Sequence, residues 1–83
     1  MNGARIGMAE AIHNRLLAIR SERGLTQAGL AELVGVSRKT INTVENGIFI
    51  PSTLLTLKLA RALGRPVEDI FSLEPGPTGE IFQ

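Results

Sequence analysis

The nine residues from Arg38 to Asn46 read RKTINTVEN, and on a helical wheel they separate by chemistry. Arg38, Lys39, Asn42, Thr43 and Asn46 share one arc of roughly 140°, while Thr40, Ile41, Val44 and Glu45 fill the opposite side. A solvated helix face normally mixes acids with bases, and this arc has no acid. Arg and Lys donate to O6 and N7 of guanine, Asn pairs with N6 and N7 of adenine, and Thr touches either base or a thymine methyl. The arc is therefore suited to reading base edges, with an ordinary polar surface as the alternative. Glu45 falls beside Ile41 at the margin of the apolar side, where an unpaired carboxylate is costly. It calls for a cation, and Arg20 is the best placed, offering a bidentate fork from a neighbouring helix. The alternative is a plain surface ion pair.

The elements that must position this arc follow from caps and periodicity. Ile12, Leu16 and Ile19 recur at helical spacing, which predicts a first helix from Ala9 to Arg23 stopped by Gly24. Thr26 caps a second, Gln27 to Val34, with Leu30, Ala31, Leu33 and Val34 inward. Gly35 ends it, and Ser37 opens the helix that carries the arc. Two short helices across so tight a turn must cross steeply, the geometry of a helix-turn-helix. The first turns at Gln27 and Arg38 also present N–H groups that suit phosphate.

Pro51 and Ser52 announce a fourth helix to Leu63, with Leu55, Leu59 and Leu63 as its inward stripe and Leu54 and Leu57 directed away. Pro66 starts a short fifth through Phe71. The fold class expected is all-α with five helices. Pro75, Gly76, Pro77 and Gly79 interrupt any helix after Leu73. The division is thus a lead or strand at 1–8, a helical domain at 9–73 and a tail at 74–83. In that tail Ile81 and Phe82 form either a short dimerisation strand or part of a disordered end.

Composition narrows the function. Eighty-three residues accommodate one core, and no run reaches the ~18 apolar residues of a membrane span. The absence of cysteine removes disulfides and thiolate metal sites, and the first residues do not make a secretory signal. A reducing interior such as the cytoplasm is expected. The net charge of +1 hides an asymmetry: residues 1–65 carry all nine bases against four acids, and residues 66–83 carry four acids and no base. A basic body is what phosphate contact requires, although an acidic end is often only solvated. The single histidine, His13, has only Glu10 one helical turn away, more often a solvated edge than a catalytic pair. No phosphate loop or metal spacing accompanies it, so neither enzymatic activity nor any cofactor or metal is expected.

Taken together, residues from Leu16 to Phe71 resemble the Cro/C1-type (XRE-like) helix-turn-helix transcriptional regulators. The resemblance rests on Arg20, Gly24, Leu25-Thr26-Gln27, Leu30-Ala31, Gly35-Val36-Ser37, Thr40-Ile41, Glu45-Asn46-Gly47, Pro51-Ser52, Ala60, Leu63-Gly64 and Asp69-Ile70-Phe71. The stretch SRKTINTVENGIFIPS is especially similar to the compact subgroup that includes the cytolysin repressor. The resemblance implies a lambda-repressor-like DNA-binding domain in which Arg38, Lys39, Asn42 and Thr43 face bases. It implies that Gln27, Ser37, Thr40 and Asn46 hold phosphates and that Arg20 pairs with Glu45 internally. It further implies a homodimer on an inverted-repeat, double-stranded operator, with Leu54, Leu57, Ile81 and Phe82 available to the interface. Gly29 departs from the pattern, where an acid is usual, and costs the second helix roughly 1 kcal/mol relative to Ala. Phe49 and Ile50 stand where relatives often carry Tyr or Arg and a polar residue, which weakens the case for backbone contacts from that loop. An antitoxin or a protein-binding adaptor on the same fold is the alternative, since fold alone does not decide function.

Overall fold

The computed structural model describes residues 12–73. In chain order these form β1 (Ile12–Asn14), α1 (Leu16–Glu22), α2 (Gln27–Val34), α3 (Arg38–Glu45), α4 (Thr53–Leu63), α5 (Val67–Ile70) and β2 (Phe71–Leu73). Three of the helices start on hydroxyl caps: Thr26 accepts from the Gly29 N–H at 2.9 Å, Ser37 from that of Thr40 and Ser52 from that of Leu55, both at 3.1 Å. Each cap satisfies one of the N–H groups that a helix start leaves without an intrahelical acceptor. Gly35 closes α2 in the left-handed region at φ 76°, which turns the chain sharply into α3.

The core gathers one stripe from every helix: Leu16 and Ile19 of α1, Leu30, Ala31 and Val34 of α2, Ile41 and Val44 of α3, Leu55, Leu59 and Leu63 of α4, and Ile70 of α5. Each large side chain among them contributes about 1.5–3 kcal/mol of burial. Leu33, expected among the inward residues of α2, is instead exposed. It lies about 110° from the centre of the arc formed by Leu30, Ala31 and Val34, so the helix cannot turn it inward without expelling one of them.

The two ends of the described chain differ from the helical expectation. The first helix begins at Leu16, because residues 12–14 pair antiparallel with β2 in the register Ile12↔Leu73, His13↔Ser72 and Asn14↔Phe71. Ile12 is exposed and contributes nothing to the core stripe. Its spacing to Leu16 and Ile19 fits a helix, but the ladder to residues 71–73 gives this segment backbone partners far along the chain that override the local pattern. Phe71 likewise leaves the fifth helix and is extended, at φ −127° and ψ 136°. The strand expected around Ile81 and Phe82 lies outside the described residues, as does Glu10. His13 sits in β1 and not in a helix.

Asn14 holds this corner together. Its Oδ1 accepts the Leu16 N–H at 3.2 Å, and its Nδ2 donates to the Val44 carbonyl at 3.1 Å, joining the start of α1 to the last turn of α3. On the other side Arg65 donates to Asp69 and Glu22, both at 3.1 Å, linking α5 back to α1. The bond to Asp69 is the main reason that the Arg65 guanidinium is held even more firmly in its charged form than usual, with Glu22 adding to it and desolvation opposing it.

Candidate nucleic-acid interface

The helix that carries the donor arc is held from behind by Ile41 and Val44, both in the core, so its opposite face is directed outward. Arg38, Lys39 and Asn46 are exposed, and Asn42 and Thr43 are half-buried. Neither α2 nor α3 has an acidic residue in its first turn. The positive ends of both helices, with Gln27 at one start and Ser37 at the other, are therefore not neutralised by their own side chains. Ser37 Oγ and Thr40 Oγ1 share one hydrogen bond at 3.0 Å, in addition to the cap from the Thr40 N–H. One hydroxyl proton of this pair remains available to an outside acceptor such as a phosphate oxygen.

Behind the arc lies a continuous polar network. Arg20 grips Glu45 with two bonds, Nε to Oε2 at 2.5 Å and Nη2 to Oε1 at 3.2 Å, and its Nη1 donates to the Leu25 carbonyl at 2.7 Å. The side chains are 13% and 2% exposed, so the pair is largely withdrawn from water. Gln27 extends it outward. Its Nε2 donates to Glu45 Oε1 at 2.9 Å and to Asn42 Oδ1 at 3.2 Å, while its Oε1 accepts from Arg38 Nη1 at 2.8 Å. Asn46 Nδ2 also donates to Asn42 Oδ1, at 3.3 Å.

This network reaches beyond the sequence reading of Gln27 as a phosphate contact. In the chain it bridges the internal ion pair to Arg38 and Asn42 on the outer arc. Partners that lie 11 to 18 residues apart leave no periodic signal, so only the crossing of α2 and α3 reveals them. The chemistry of Asn42 is also narrowed. Its carbonyl oxygen already accepts two bonds, which leaves its amide hydrogens as what it offers to a base.

At the other edge of the arc the surroundings are apolar. Gly47 reverses the chain after α3, and the N–H groups of Ile48 and Phe49 both bond to the Thr43 carbonyl, at 3.0 and 3.2 Å. Lys39, Thr40, Thr43, Ile48 and Phe49 thereby line an open cleft of about 330 Å³. A larger cleft of about 460 Å³, bounded by Glu32, Leu33, Lys58 and Arg61 among others, includes no residue of α3. Leu54 and Leu57 are exposed on the outer side of α4, and Ile81 and Phe82 lie outside the described residues. No group of residues among those described could hold a metal ion, and none of their helices is long and apolar enough to cross a membrane.

Comparison with known proteins agrees with this architecture. The helix-turn-helix family profile matches residues 16–70. An uncharacterized HTH-type transcriptional regulator of Methanothermobacter thermautotrophicus is 55% identical over 56 residues, covering 66% of this chain and 81% of that protein. The uncharacterized HTH-type transcriptional regulator YgzD of Bacillus subtilis is 41% identical over 61 residues, covering 74% of this chain and 92% of its own length. Among solved structures, the restriction-modification controller protein C.AhdI of Aeromonas hydrophila superposes with a TM-score of 0.63 at 38% identity, covering 66% of this chain and 83% of that one. The chain belongs to the Cro/C1-type family of helix-turn-helix transcriptional regulators, and its described residues form five helices and a short two-stranded sheet.

Proposed function

We propose that this regulator is a cytoplasmic repressor that binds an inverted-repeat operator as a homodimer, with α3 of each subunit in the major groove. The observation that carries the reading is the outer arc of α3, rich in donors and without an acid, with Arg38 and Asn42 held by Gln27. In this reading Arg38, Lys39, Asn42 and Thr43 meet base edges. Gln27, Ser37, Thr40 and Asn46 hold phosphates on either side, at the starts of α2 and α3 and the end of α3. Two-fold pairing is assigned to the exposed Leu54 and Leu57, together with Ile81 and Phe82 of the tail. The name of C.AhdI, a restriction-modification controller protein, is in keeping with a regulatory role. No cofactor enters this scheme: operator occupancy alone would block the polymerase.

The test is selection from a random duplex pool at near-physiological salt. Enrichment of an inverted repeat with half-site centres about 34 Å apart, one turn of B-DNA, is the expected result. Retention that depends on salt but enriches no sequence would sink the base-reading assignment and direct attention to an antitoxin or adaptor role.

A further inference from the structure

We infer that the loop after α3 completes the reading face with an apolar subsite for the 5-methyl group of a thymine, formed by Ile48 and Phe49 against Lys39 and Thr43. The inference rests on the reading of α3 as the base-facing helix and adds to it a residue pair that lies outside that helix.

Four observations carry it. First, Ile48 and Phe49 are 76% and 45% exposed, an unusual place for two large apolar side chains in succession. Second, they are not loosely attached, since both of their N–H groups bond to the Thr43 carbonyl and so fix them relative to the reading face. Third, the Thr43 hydroxyl donates to the Thr40 carbonyl at 2.9 Å. With that proton engaged, Thr43 offers a base its methyl group more readily than a donor, and Lys39 adds its alkyl stem to the same wall. Fourth, the cleft they share is continuous with the arc that carries Arg38 and Asn42, because Lys39 and Thr43 belong to both.

The face is therefore divided, with amide and guanidinium donors along the Gln27 edge and carbon along the loop edge. On the base edges of the major groove, the apolar group is the thymine methyl, so it is the chemistry that the loop edge fits. Burying it is worth about fourfold in affinity, the factor that corresponds to ~0.8 kcal/mol for one buried carbon.

The experiment uses the full chain and the duplex recovered by selection, with each thymine replaced in turn by uracil, which removes only the methyl. Wild type is expected to bind about fourfold more weakly at one thymine in each half-site. Ile48→Ser and Phe49→Ala should each bring that ratio close to one, while preference at the base read by Arg38 persists. Phe49 also lines a second cleft with Val36, Leu54 and Leu55, so its replacement could disturb packing. Ile48 makes no such contribution, and Ile48→Ser, with an unchanged unfolding midpoint, is the deciding variant. A ratio near one at every thymine, a ratio that both variants leave intact, or an enriched half-site without thymine would each overturn the subsite and leave base reading by α3 standing. A pool with no enriched sequence would overturn both.

Discussion

Replacing Arg20 would leave the Glu45 carboxylate, with its side chain 2% exposed, to the single amide of Gln27. A charge left in that position is far costlier than an exposed pair, and Arg20→Ala is expected to lower stability by about 3–5 kcal/mol in equilibrium unfolding. A loss below ~1 kcal/mol would mean that water reaches Glu45 and that the pair behaves as a surface one. Gln27 invites a different measurement. As a phosphate contact alone, Gln27→Ala should weaken every sequence alike and flatten the salt dependence of binding. Its bonds to Arg38 and Asn42 add a second effect, a broadened preference at the bases those residues are proposed to meet. Selection profiles of the variant and the parent distinguish the two, since a profile identical in shape would show the bridge to be idle on DNA. Arg38→Ala should relax one base step at a cost of about 1–3 kcal/mol, read from the same profiles.

Between elements, what matters is how α3 is carried. Its start is set by the turn at Gly35, where φ is 76° and a Cβ would meet nothing within 4 Å. Gly35→Ala therefore isolates the backbone cost of a left-handed residue, and a loss of about 1–2 kcal/mol is expected on chemical denaturation. A larger loss would show that the angle between α2 and α3 had changed as well. The end of α3 is tied by Asn14, whose amide bonds the Val44 carbonyl across 30 residues of chain. By this bond a strand at one end of the described chain supports the helix proposed to enter the groove. The Arg20–Glu45 pair supports the same turn of α3 from α1, so the helix is braced at its C-terminal end by two elements independently.

For the whole molecule, the outer side of α4 is the place where association can be tested without disturbing the core. Leu54 and Leu57 are 64% and 55% exposed, so charge placed there should not alter folding of the subunit. On the proposed pairing, the parent sediments as a dimer and the double variant Leu54→Glu, Leu57→Glu as a monomer at the same concentration, with an unchanged unfolding midpoint in the monomer range. Persistence of the dimer would move the interface elsewhere on the surface. The basic body of the chain acts over the same scale, since bases outnumber acids nine to four in residues 1–65 and would draw the molecule toward a polyanion before any base is read.

How much of this was legible in the chain itself follows from the distance over which each feature acts. The caps of α2, α3 and α4 join residues three apart, and the inward stripes repeat within one or two turns, so residue types alone determined these three helices and placed the donor arc on one side of α3. Glu45 beside Ile41 likewise announced its need for a cation. Other features were decided by tertiary structure. Residues 12–14 satisfy a helical pattern, but become a strand because residues 71–73 lie alongside them. Leu33 is apolar and yet exposed, because the faces of α2 compete for one core. Gln27 became a bridge and the Ile48–Phe49 loop became the wall of a cleft only when α2 crossed α3 and the chain folded back onto Thr43. The physical reason is common to all of them: hydrogen bonds and packing between distant segments depend on where whole elements come to rest, and local periodicity carries no record of that.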